Sequence, residues 1–139
     1  MAILRGEQGS VEFDPTGVSN ATIVGTRSWT LNLSKETLDT TKHGDTFRSF
    51  VGSMVSGSGT VEIVYDTLGT GQSTFINDAI TAADPADATF ELFVTGSTAG
   101  ADSVSFNGII TSTDIASTTG DLVVATCNFV TSGTIISTL

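Results

Sequence analysis

Apolar residues in this chain recur at every second position over several separate stretches, and that period is what most constrains its fold. In residues 20–33, Ile23, Trp29, Leu31 and Leu33 share one parity. Thr22, Thr26, Ser28, Thr30 and Asn32 share the other, with Val24 as the exception. An extended strand puts such a set on one face, because its side chains alternate. Residues 53–66 repeat the pattern, with Val55, Val61, Ile63 and Tyr65 against Ser56, Ser58, Thr60 and Glu62. Gly57 and Gly59 fall on the apolar parity, where a missing side chain either admits a bulky neighbour such as Trp29 or marks a bulge.

Further along, residues 88–95 bring Phe90, Leu92 and Val94 together. Residues 103–113 contain Asn107-Gly108, a hairpin turn or a bulge. Residues 121–137 alternate Val123, Ala125, Cys127 and Phe129 before bending at Gly133. A short run at 8–14, closed by Pro15 and Gly17, reads as one more strand. The single helical stripe lies in residues 73–83, where Phe75, Ile76, Ala79, Ile80 and Ala83 line up. Ser73 or Thr74 is its expected cap and Asp84-Pro85 its stop.

Six or seven strands and one helix, without regular alternation between them, disfavour a parallel α/β sheet. With 24 Thr, 16 Ser and 15 Gly among 139 residues, the composition also favours strand over helix. The expectation is one domain over 1–139, mainly β: a sandwich or barrel with one packed helix and a long loop or hairpin arm. Trp29, Tyr65, Phe75, Ile80, Cys127 and Phe129 are its expected core members. Residues 34–52 break the alternation, are polar, and read as an unusually long connection.

Charge narrows the function. Residues 1–48 hold six acids and all five bases, whereas 49–139 hold nine acids and no base. Clustered Lys and Arg, which tracking a phosphate backbone requires, are missing. One Cys supports neither an intrachain disulfide nor a multi-thiolate zinc site. No apolar run approaches the ~20 residues of a membrane helix, so membrane insertion is not expected.

Candidate chemistry does not assemble. His43, the only His, sits in the long polar segment near Asp45 without a nucleophile, and Cys127 lies on the apolar parity of a strand. Leu68–Thr74 opens the helix like a phosphate loop but has no Lys at the required position. The acids lack calcium-loop spacing, and Asn20-Ala21-Thr22 reads as a chance glycosylation sequon. Neither an enzyme nor a cofactor is expected. The unusual feature is the surface: Ser and Thr stand on most polar parities where Lys and Glu are common, and interface cores are depleted in charge.

Residues 28–66 carry a resemblance. Ser-Trp-Thr-Leu-Asn-Leu-Ser-Lys-Glu-Thr-Leu-Asp-Thr-Thr-Lys-His-Gly-Asp (28–45), Phe-Val-Gly-Ser-Met-Val-Ser-Gly-Ser-Gly-Thr-Val (50–61) and Val-Tyr-Asp (64–66) are similar to the major tail tube protein of tailed bacteriophages. Residues 127–135 resemble that family's last strand. The resemblance implies a subunit that forms hexameric rings, stacked into a tube whose joined sheets surround a lumen passing DNA without gripping it.

It further implies a virion tail location, with assembly in the bacterial host cytoplasm. The implied partners are further copies of the chain, tape-measure, tail-terminator and baseplate or tail-tip proteins, and a sheath where the tail is contractile. The 34–52 segment becomes the arm that reaches a neighbour, through Lys35, Leu38, Asp39, Thr40, Thr41, Lys42, His43, Gly44, Asp45, Phe47, Arg48 and Phe50. Glu62 and Glu91 become lumen-wall candidates. The rival reading is a monomeric β-sandwich binding carbohydrate or protein through Trp29, Tyr65 and Phe47.

Overall fold

The computed structural model describes residues 9–15, 21–66, 71–81, 88–94 and 102–139, with the side chains of 78–81 outside the description. In chain order the elements are β1 (Ser10–Asp14), β2 (Ala21–Thr22), β3 (Thr26–Asp39), β4 (Phe50–Val64), α1 (Gln72–Thr81), β5 (Ala88–Phe93), β6 (Ser103–Ala116) and β7 (Val124–Ser137). The strands form one sheet in the order β2-β1-β5-β6-β7-β4-β3, and every pairing is antiparallel. The sheet curls onto itself: the indole Nε1–H of Trp29, on the edge strand β3, donates to the Phe93 carbonyl at the end of β5, 3.2 Å away.

One face of the curled sheet holds the core, as the alternation requires. Val61 and Ile63 of β4, Ala125, Cys127 and Phe129 of β7, and Phe90 and Leu92 of β5 are buried together. Phe75 and Ile76 of α1 close the same cluster. Phe90 is its hub: its ring stacks on Phe106 and Phe129 at 5.3 and 5.1 Å. It also meets Phe13 and Phe75 edge-on at 5.0 and 6.0 Å. Such offset and edge-on pairs contribute beyond their buried area. The side chain of Ile80 and the Asp84-Pro85 helix stop lie outside the described residues.

Two local expectations are corrected, and two that had alternatives are decided. The segment 34–52 is not one long loop but a hairpin arm, about half of it strand: β3 runs to Asp39 and β4 starts at Phe50, leaving 40–49 as the connection. Tyr65 is not core; β4 ends at Val64, and the ring is 47% exposed beyond the strand end. The helix begins at Gln72, so Ser73 and Thr74 lie inside its first turn rather than at the cap. Of the two readings of Asn107-Gly108 the turn is excluded, because β6 runs through it to Ala116, and a bulge-like irregularity of the ladder does fall there. The register shift there places the extra residues in β7, around Gly133, whose φ is +85°.

The glycines of β4 admit different neighbours from the one expected. Trp29 pairs with Val61, while Gly59 pairs with Leu31 and Phe129. A Cβ on Gly59 would sit 2.6 Å from Phe129 Cζ and against the Thr30 carbonyl oxygen. Gly59→Ala is therefore expected to destabilise by about 1–3 kcal/mol through overpacking. Urea unfolding of the two proteins checks this, and an unchanged midpoint would contradict it.

Candidate assembly surface

Beyond the core, β3 and β4 continue as a two-stranded arm. The last pairing of β4 with β7 is Ser58 with Val130, whereas β3 and β4 stay paired out to Asp39 and Phe50. From Leu33 to Ser56 every residue except Ser53 is exposed. Cross-strand bonding makes this segment β, and neither face is buried, so no period-two apolar pattern is needed to hold it.

The arm tip is ordered by its own polar groups. Thr40 N–H donates to the Ser49 carbonyl at 2.9 Å, and their hydroxyls meet at 2.8 Å. Asp39 Oδ1 accepts from Thr41 N–H at 2.8 Å and Asp45 Oδ2 from Lys42 N–H at 2.7 Å, the local bonding that Asp favours in turns. Bonds from the Thr41 hydroxyl and then its N–H hold the Asp39 carboxyl below the usual range. Arg48 lies 3.9 Å from Asp39. Gly44 has φ +91°, which the His43-Gly44 turn requires.

This ordered tip presents apolar side chains to water. Phe47 is 84% and Met54 72% exposed, with Leu38, Phe50, Val51 and Val55 also open. Lys35, Lys42, His43 and Arg48 stand among them. All twelve residues expected in the intersubunit segment thus lie on the arm; Lys35, Leu38, Asp39 and Phe50 are on its strands and the rest on the connection. Leu38 and Val51 are paired on one face of the ribbon and Phe50 stands on the other, and so many exposed large apolar side chains on one element mark an interaction site.

The sheet face opposite the core is a hydroxyl and carboxylate surface. Thr60 Oγ1–H donates to Asn128 Oδ1 at 2.9 Å, and Asn128 Nδ2–H to Ser112 at 2.8 Å. Glu62 lies here, in register with Thr126, and Arg27 approaches it to 3.5 Å. Glu91 also faces away from the core, pairing with Glu12 on β1 and accepting from Ser103 at 2.9 Å.

Burial and the negative charge of Glu91 push the Glu12 carboxyl above its ordinary range, with donation from Thr22 opposing. A carboxyl with a raised folded pKa adds no penalty below its unfolded pKa. The penalty grows as pH rises through the folded value. Glu12→Gln should thus stabilise the fold at neutral pH, by a few tenths of a kcal/mol after solvent screening, and leave it unchanged near pH 3. Thermal melts at the two pH values check the difference.

The remaining candidates fall elsewhere. Cys127 is buried, with Thr113 Oγ1–H 3.7 Å from Sγ, and burial raises its thiol pKa; such a thiol is unreactive. Trp29 is half-buried against the core, while Phe47 and Tyr65 lie at opposite ends of β4, so the three aromatics form no common platform. Among the described residues, no group of three His, Cys, Asp or Glu side chains could hold a metal ion. None of the described helices is long and apolar enough to cross a membrane.

Gln72 was not foreseen. It is buried, accepts from Asp66 N–H at 3.0 Å, and donates to the Val24 and Val64 carbonyls at 2.6 and 3.0 Å. It ties the start of α1 to the ends of β3 and β4 away from the arm.

A chain of the tail of an empty GTA particle, refined helically with C6 symmetry, superposes with TM-score 0.76 at 20% identity, over 99% of this chain and 100% of that one. The SPP1 tail tube superposes with TM-score 0.75 at 15% identity, over 97% and 78% of the two chains. A chain of the PVC sheath/tube terminator, from an extracellular contractile injection system, gives TM-score 0.69 at 15% identity, over 100% and 99%. No family model matches the sequence, and no curated protein matches it. The chain shares the fold of these tail and injection-system components.

Proposed function

We propose that this chain is a tail tube subunit whose copies join as rings, six to a ring, and stack into a tube that conducts DNA from a phage-like particle. The observation that carries this reading is the ordered arm: it exposes Phe47, Phe50, Val51 and Met54 yet adds nothing to the subunit's own core. The fold shared with tail components supports it. The role is structural, without catalysis or cofactor, and its place is the virion tail, assembled in the bacterial host cytoplasm. Tape-measure, terminator and baseplate proteins are the further partners.

The hydroxyl-rich face bearing Glu12, Glu62, Glu91 and Asp114 is the wall proposed for the lumen. Its carboxylates repel phosphate, and Thr60 and Ser112 are engaged with Asn128, so DNA slides past without a lasting contact. Negative-stain electron microscopy and sedimentation of the purified chain test the reading. Rings or tubes are expected; a 14.3 kDa monomer at high concentration, in low and high salt, would overturn it.

A further inference from the structure

Among the described residues, the face proposed as the lumen wall carries a single base, and a carboxylate already holds it. Lys35, Lys42 and Arg48 stand on the arm, and Arg27 alone belongs to the body of the sheet. Lys35, the next base along β3, lies roughly 26 Å of strand away at ~3.3 Å per residue. No other described base can therefore stand in for Arg27 on this face.

A bulge places Arg27 there. Thr26 pairs with Ile63 and Ser28 with Glu62, so Arg27 is the extra residue of β3. Strict alternation with Trp29 would aim it at the core side, but a bulge re-aims a side chain. Its Nη1 lies 3.5 Å from Glu62 Oε1. Glu62 stands between the buried Val61 and Ile63, so its carboxylate faces away from the core. Register then puts Ser28, Glu62, Thr126 and Asp114 in one row across β3, β4, β7 and β6. The Arg27 side chain is 60% exposed, within reach of a polyanion passing over that row. A guanidinium fork binds phosphate as it binds carboxylate.

We infer that Glu62 masks Arg27 against nucleic-acid phosphate, and so decides whether the wall lets DNA slide or holds it. The inference rests on the tube-subunit reading and names the residue pair that sets its passage. Glu62 and a passing phosphate compete for the same N–H groups. While the carboxylate holds them, a phosphate gains little by stopping. One exposed ion pair is weak, but a tube repeats it in every copy. Each freed phosphate contact adds about 0.9 to the salt dependence of binding, and contacts made to one polyanion act together. Guanidinium groups freed all round a ring would therefore brake DNA where one would not.

Tubes assembled with a DNA duplex of about 30 base pairs, then pelleted and washed, test this. At about 50 mM salt, wild-type tubes should retain little duplex. Glu62→Gln should retain at least tenfold more and lose the gain at about 300 mM salt. Asp114→Asn removes the same charge from the same row but leaves Arg27 covered, and should stay within about threefold of the wild type. Arg27→Gln combined with Glu62→Gln should return to the wild-type level. Both side chains reach solvent and neither is in the core, so circular dichroism should stay β in each variant. Equal gains from Glu62→Gln and Asp114→Asn, a gain that survives the loss of Arg27, or no gain at all would overturn the mask.

A second measurement does not depend on assembly. In dilute, unassembled protein, the Arg27 Nε–H resonance is followed as tripolyphosphate is added. Its shift should be at least threefold larger in Glu62→Gln than in the wild type, and equal shifts would refute the mask. A wild-type chain that forms no tubes would instead remove the subunit reading, and this titration would still decide whether Glu62 covers Arg27.

Discussion

Phe90→Ala should leave little folded protein. The Phe90 ring is fully buried and touches four other phenylalanine rings, from β1, α1, β6 and β7. Its neighbour Gly108 depends on it as well, because the Phe90 edge fills the space 3.1 Å from where a Cβ would stand. Removing a buried Phe costs about 3–5 kcal/mol, and the larger values occur where the surroundings cannot collapse into the cavity.

Here the surroundings are rings fixed on paired strands, so the upper end is expected. Domains of this kind have only about 5–15 kcal/mol in total, and a loss of that size moves the urea midpoint sharply or abolishes the transition. Phe47→Ala is the control: the same substitution at an exposed ring should change stability by less than ~0.5 kcal/mol. Equal losses from the two variants would mean that the aromatic cluster is not the centre of the fold. Both should be measured on dilute, unassembled protein, because association adds apparent stability.

What could be read from the sequence follows from which elements bury a face. Where a strand lies over the core, as at Trp29–Leu31, Val61–Ile63, Phe90–Leu92 and Ala125–Phe129, alternation is enforced by burial and the period is visible. Where both faces meet water, as from Ser34 to Ser56, nothing enforces it, and a long hairpin looks like a loop. Tyr65 shows the converse error: it keeps the apolar parity of Val61 and Ile63, but the strand ends one residue earlier, and parity cannot show where a ladder stops.

Cross-strand partners were also beyond reach. Glu12 and Glu91 are far apart in sequence, and only the β1–β5 register sets them opposite each other. The helix was legible from its apolar stripe, but its start was misplaced by a residue or two, and nothing distinguishes a buried Gln72 from an exposed one without the three backbone groups that it serves. The arm residues were identifiable through the resemblance and through their charge.

Replacing residues 36–48 by a short Gly-Ser linker should separate folding from assembly. None of these residues is in the core, and all are exposed. The Trp29 bond to Phe93 and the β4–β7 ladder from Ser58 onward lie outside the replaced segment. The subunit should therefore keep a β circular dichroism spectrum and a cooperative melt. Stability should change little, because the lost ladder is solvent-exposed and the arm contributes no buried apolar area to the domain.

Assembly should fail, because the linker removes Leu38, Phe47, Lys42 and Arg48 together, and apolar anchors flanked by charge carry most of the energy of such contacts. Phe47→Ser alone should weaken tubes without abolishing them, since Phe50, Val51 and Met54 remain. Electron microscopy and sedimentation read both variants directly. Normal tubes from the linker variant would refute the arm's role, and an unfolded product would show that the hairpin is required for the subunit's own fold.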